Sequence, residues 1–102
     1  MGNEETILVG KIIEKLRKKQ LLSQEDLAYF SQKDRRTISD LETNQYGPTL
    51  LTIFKLAAAL EIKPSELVKE IEEVDENARY YNQFLAEVKE TKSVHKKSKN
   101  SN

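Results

Sequence analysis

From Ser23 to Glu42 the chain reads SQEDLAYFSQKDRRTISDLE, two short helical patterns separated by a tight polar turn. Ser23 is a side chain that can accept from the free amides of a first helical turn, and Glu25 and Asp26 place acids where a helix N-terminus favours them. Leu27, Ala28 and Phe30 then supply an apolar face. Ser31-Gln32-Lys33 leaves room only for a turn, after which Asp34 offers a second cap and Ile38 and Leu41 a second inward face. The small Ala28 lets the two helices cross closely. The outward positions of the second helix are polar and long.

Outward from this core, Ile7, Leu8, Ile12, Ile13 and Leu16 recur at helical spacing, which predicts a first helix starting at Asn3 as its cap and ending in the basic Lys18-Lys19. Downstream, Asn44-Gln45-Tyr46-Gly47-Pro48 is rich in helix breakers, and Thr49 caps a fourth helix. The apolar residues of that helix, from Leu51 to Leu60, are nearly continuous and predict a central position. Pro64 opens a fifth helix where a missing amide costs nothing, and no breaker follows until about Lys92. Leu67, Ile71, Val74, Ala78, Tyr81, Leu85 and Val88 alternate spacings of four and three, the pattern of a coiled-coil seam. The same residues would also serve a sixth helix folded back on its own subunit. Residues 93–102 carry lysines without an apolar cluster and are expected to form a disordered basic tail.

The chain has 102 residues, 37% of them hydrophobic and 33% charged, with two prolines and three glycines, which fits one all-helical domain. Cysteine is absent, so disulfides and thiolate metal sites are excluded. No run approaches the length of a membrane-spanning helix, and the N-terminus lacks the order of a secretory signal, so a soluble, cytoplasmic protein without a membrane role is expected. The net charge is zero, yet the charges are segregated. Acids gather between Glu66 and Glu76, whereas Lys11, Lys15, Arg17, Lys18, Lys19, Lys33, Arg35 and Arg36 precede them, which permits a local basic surface.

Catalysis finds no support. The lone His95 lies in the expected tail, and no nucleophile-base pair, phosphate-binding glycine loop or metal-ligand spacing is present. No enzyme activity, cofactor or metal is therefore expected.

The segments Leu22–Ala28 and Asp34–Glu42, together with Pro48-Thr49-Leu50-Leu51 and Leu56–Leu60, closely resemble the Cro/phage-repressor (XRE-type) helix-turn-helix family over roughly Ile7 to Ile71. The resemblance implies an all-α, five-helix lambda-repressor-like DNA-binding domain over 1–73. A C-terminal helical extension over 74–92, a possible dimerisation element, and the tail at 93–102 would complete the chain. It further implies that Arg35, Arg36 and Asp40 meet base edges in the major groove of double-stranded DNA. Gln24, Lys33, Thr37, Ser39, Asn44, Gln45 and Tyr46 would contact phosphates, and Arg17 and Glu42 would form a structural ion pair. The implied function is a sequence-specific transcriptional regulator, a repressor acting as a homodimer. Two alternatives share the fold: an antitoxin-type module binding a partner protein through its C-terminal helix, and a restriction-modification controller, which the stretch Gln24–Tyr29 with Asp34-Arg35 also resembles. The sequence departs from the family pattern at the turn, where Gln32 stands for glycine and Lys33 for an apolar residue, and at Thr43-Asn44, which replaces Arg-Gly. A left-handed non-glycine residue at Gln32 would cost about 1 kcal/mol, whereas Asn tolerates that conformation at Asn44.

Overall fold

A computed structural model describes residues 6–100, and side chains over 6–98, as six helices with no strand among the described residues. They are α1 (Gly10–Lys19), α2 (Gln24–Phe30), α3 (Arg35–Glu42), α4 (Leu50–Ala59), α5 (Pro64–Glu72) and α6 (Asp75–Asn100). The helices α1 to α5 surround one core whose centre is Ile13, Leu27, Ile38, Leu41, Leu56, Leu60 and Leu67, each essentially without solvent contact. Each helix contributes at least one of these residues, so no pair of helices is stable in isolation from the rest.

Three of the helix starts are fixed by the side chains their sequences supply. Ser23 Oγ accepts from the Asp26 amide at 2.9 Å and Asp26 returns a bond to the Ser23 amide, a reciprocal box. Asp34 Oδ1 accepts from the Thr37 amide at 2.8 Å, and Thr49 Oγ1 from the Thr52 amide at 3.1 Å. These bonds hold the Asp26 and Asp34 carboxyls below the usual aspartate range, the backbone amide being the largest cause in each case.

The helix ends share one device. Leu21, Gln32, Asn44 and Glu61, each one residue beyond a helix C-cap, have φ of 59°, 62°, 59° and 56°. At each, the following amide reaches back to the last full turn, as in Lys33 N–H to Ala28 O at 2.8 Å and Ile62 N–H to Ala57 O at 3.0 Å. This is the Schellman arrangement, built here without glycine. Gln32 and Asn44 therefore adopt the left-handed backbone expected of them, and Leu21 and Glu61 do so without having been anticipated. The turn after α2 is reinforced by the buried Ser31, whose hydroxyl donates to Leu27 O at 2.6 Å.

Four expectations are corrected. The first helix begins at Gly10, not near Asn3, which lies outside the described residues. Ile7 and Leu8 precede it, and the backbone from Leu8 to Gly10 is held from across the fold. Leu8 N–H donates to Asn77 Oδ1 at 2.9 Å, Asn77 Nδ2 donates to Leu8 O at 2.8 Å, and the amides of Val9 and Gly10 both donate to Asn44 Oδ1. Second, α4 is one-sided: Ile53, Leu56 and Ala57 are buried, but Leu50, Leu51 and Phe54 are exposed. Third, the helix opened by Pro64 does not run unbroken to Lys92. It stops at Glu72 because Asn77 Nδ2 takes Ile71 O at 2.7 Å, the carbonyl that a continuous helix would offer to Asp75. Fourth, the tail from Ser93 continues α6 to Asn100, since this segment has no proline or glycine and is rich in lysine, a good helix former.

The α2–α3 unit is tied to α1 by a buried ionic network. Arg17 Nε and Nη2 donate to the two Glu42 carboxylate oxygens at 2.6 and 2.9 Å, with side-chain exposures of 9% and 4%. Arg17 Nη1 also donates to Leu22 O at 2.9 Å, and Gln24 Nε2 to Glu42 Oε1 at 3.0 Å. The bond to Glu42 is the main reason the Arg17 guanidinium is held above its ordinary pKa. Above this network α1 meets the end of α3 closely, and a Cβ at Gly10 would lie 2.1 Å from Glu42 O.

Urea unfolding tests these contacts. Arg17→Ala, which leaves the Glu42 charge buried and half-satisfied, lowers stability by about 3–5 kcal/mol, and Glu42→Gln lowers it too, because its NH2 faces a donor of Arg17 or Gln24 and the buried guanidinium loses its counter-ion. Leu21→Gly, at a site 91% exposed, raises stability by about 0.5–1 kcal/mol through relief of the left-handed backbone. With acid, the capping carboxylates lose their contribution: stability is level above the ordinary aspartate pKa of about 4 and falls as pH drops through the lower folded-state values. Asp34→Asn keeps the acceptor but cannot protonate, so its stability falls less steeply with acid than that of the wild type.

Candidate nucleic-acid interface

The helix α3 has one face in the core and the opposite one in solvent. Ile38 and Leu41 are completely buried, whereas Arg35, Arg36 and Thr43 are exposed and Ser39 and Asp40 are partly so. Their i, i+3 and i+4 spacing puts Arg36, Ser39, Asp40 and Thr43 on one outward stripe, with Arg35 at its margin. Arg36 Nε stands 3.8 Å from Asp40 Oδ2, an exposed ion pair one turn apart. Because Arg36 remains 90% exposed, the pair is a loose pre-alignment that a base edge could displace at little cost.

The expected backbone-contacting residues occupy different positions around this stripe. Gln24 begins α2, and its side-chain amide is directed inward to Glu42. The Gln24 and Glu25 backbone amides, in the first turn of α2, have no intrahelical acceptor. Lys33 is half-buried, its amide closing the turn onto Ala28. Thr37 lies at the flank of α3 and gives its amide to Asp34. Ser39 faces outward and its carbonyl accepts from Thr43 Oγ1 at 2.9 Å. Gln45 and Tyr46 are exposed in the loop after α3, Gln45 Nε2 reaching Thr43 O at 3.3 Å.

Asn44 does not join them. Its side-chain oxygen accepts from the Val9 and Gly10 amides at 3.0 and 2.9 Å, so it caps the start of α1. Nothing local in the sequence marks this, because the donors lie more than thirty positions away (35 and 34). Tyr29 was also missed as a surface group: it is 80% exposed on α2 and stands edge-on to Phe30 with ring centres 5.6 Å apart.

The site is thus a polar ridge with a cationic leading end, supported from behind by core residues and by Arg17 and Glu42. Cations followed by an acid on one stripe can donate to guanine O6 and N7 and accept from cytosine N4. Among the described residues no group of histidine, cysteine or acidic side chains is arranged to hold a metal. No helix among them is long and apolar enough to cross a membrane.

Comparison with known proteins agrees with this geometry. The family model described as helix-turn-helix matches residues 13–67. An immunity repressor protein of Bacillus phage phi105 is 35% identical over 74 residues, covering 72% of this chain and 51% of the repressor, so the chain spans about half of that relative. An uncharacterized HTH-type transcriptional regulator of Sinorhizobium fredii is 35% identical over 66 residues, 65% of this chain and 86% of the relative. Among solved structures, the restriction-modification controller protein C.AhdI from Aeromonas hydrophila is 41% identical, with 60% of this chain and 92% of that chain covered and a TM-score of 0.57. A point mutant of the controller C.Esp1396I, bound to its highest affinity operator site, is 31% identical at a TM-score of 0.58, with coverage of 66% and 92%. With the α2–α3 pair in place and the matched segment spanning both of its helices, the chain belongs to the helix-turn-helix family of DNA-binding regulators.

Proposed function

We propose that this protein is a cytoplasmic, sequence-specific transcriptional regulator that binds double-stranded DNA by laying α3 in the major groove. The single observation that carries the reading is the outward stripe of α3, where Arg36 and Asp40 stand together beside Arg35 on a helix whose other face is wholly buried. Arg35 and Arg36 donate to guanine edges and Asp40 accepts from cytosine N4, each such pair discriminating by about 1–3 kcal/mol. The first-turn amides of α2 at Gln24, together with Lys33, Thr37, Ser39, Gln45 and Tyr46, hold flanking phosphates and set the depth of α3. Arg17 and Glu42 position the helices and read nothing.

The regulator acts as a homodimer that reads two half-sites, about 34 Å apart if they are separated by one helical turn. Repression follows by occupying an operator, and the phage immunity repressor supports that sign of action. Control of a restriction-modification system is the second reading, favoured by the 41% identity to C.AhdI over nearly that whole chain. Both readings use the same interface and the same residues.

Selection of binding sites from a random duplex library tests the proposal. Wild type should enrich a motif containing G·C pairs in two spaced copies, and an Arg35→Ala/Arg36→Ala variant, folded by circular dichroism, should lose it. Failure of the folded wild type to enrich any motif would overturn the reading.

A further inference from the structure

The helix α6 is much longer than the domain needs. Only its start is engaged: Asn77 is buried and satisfied by Leu8 and Ile71, and Ala78 is half-buried. Its 26 residues extend about 39 Å, and the molecule accordingly measures 61 Å in its longest dimension but 22 Å in its shortest. Along the projecting part, Tyr81, Phe84, Leu85 and Val88 form one apolar stripe that continues the face docked at Asn77 and Ala78, and three of them are 62%, 42% and 45% exposed (Tyr81, Phe84 and Val88). An apolar stripe of this length on a projecting helix needs a partner.

Charge decides which partner. The near end of α6 and the end of α5 are acidic, with Glu72, Glu73, Asp75 and Glu76, whereas the far end is basic, with Lys92, Lys96 and Lys97. Between α5 and α6 lies an open groove of about 450 Å³ lined by Lys69, Glu72, Glu73, Ala78, Tyr81 and Asn82. Its apolar lining is Ala78 and Tyr81, and the acids Glu72 and Glu73 outnumber Lys69, so it complements the apolar-basic far end of the same helix.

We infer that α6 pairs antiparallel with α6 of a second copy, each far end seated in the other's α5–α6 groove. Seating each far end in the groove sets the register. Leu85 packs against Val88 of the second copy at the centre, Tyr81 against Lys92, and Ala78 against His95, the a-to-d layering of an antiparallel helix pair. Lys92 and Lys96 then lie beside Glu72 and Glu73 across the pair. A parallel pair would instead stack Lys92 on Lys92 and the acidic ends on each other. The pairing rests on the dimeric reading of the regulator and deepens it by assigning the partner surface.

The absence of cysteine makes the register directly readable. Tyr81→Cys and Lys92→Cys chains, both at exposed positions, are prepared separately, mixed under reduction and oxidised. The expected product is the mixed Tyr81-to-Lys92 position disulfide, with self-linked dimers minor. Dominant self-linking of either variant would overturn the antiparallel register. Absence of any link, with sedimentation showing a monomer or a dimer insensitive to Val88→Asp, would overturn the surface itself. Glu72→Lys/Glu73→Lys should weaken the full-length dimer about tenfold, and adding Lys92→Glu/Lys96→Glu to the same chain should restore it. Binding of the Val88→Asp chain to a single half-site, measured alongside, separates failure of the pairing from failure of the DNA-binding reading.

Discussion

The Arg17–Glu42 pair is the constraint on which the interface rests. It joins the end of α1 to the end of α3 while Gln24 of α2 donates to the same carboxylate, so one buried anion fixes three helices. Desolvating two charges is expensive, and the cost is offset only by the bidentate geometry and the further bonds from Arg17 to Leu22 O and from Gln24 to Glu42. An apolar replacement could serve stability as well. What it could not supply is direction: a forked guanidinium and a carboxylate meet in one orientation, and that orientation sets how α3 stands proud of α1 and α2.

Close approach is the second element of this geometry. Gly10 has no room for a Cβ beneath Glu42 O, and Asn44 immediately afterwards turns its side chain back to the Val9 and Gly10 amides. The last residue of α3 and the chain just beyond it are thereby bound to the start of α1. The helix α3 is held near its end by an ion pair, along its length by Ile38 and Leu41, and past its end by Asn44. Only its outward stripe is left without a structural task, which is the condition for placing side chains at base edges without unfolding cost.

The sequence made local features legible and concealed the distant ones. Ser23, Asp34 and Thr49 are caps that act within three residues, and each one caps as its surroundings indicate. The left-handed turns at Gln32 and Asn44 could be inferred from what replaced glycine there, but Leu21 could not, because an exposed leucine carries no turn signal. The start of α1 depends on Asn44 and Asn77, whose partners there lie far along the chain, and the break after α5 on Asn77 turning back to Ile71; periodicity reports only which residues could face inward. The α4 helix shows the same limit from the other side: its composition suggests a central position, yet the neighbours cover one face only. In the candidate interface, the placement of Arg35, Arg36 and Asp40 on a free ridge follows from spacing, whereas the inward commitments of Gln24 and Asn44 emerge only from the packed fold.

On the proposed reading, α3 meets guanine edges from the major groove. Methylation interference at guanine N7 on a bound operator addresses it most directly, since N7 is presented in that groove and accepts from arginine. Methylating one or two guanines in each half-site should abolish binding of the wild type, and an Arg36→Ala chain should lose this sensitivity at one of them. Specific binding that is indifferent to N7 methylation throughout the site would contradict it.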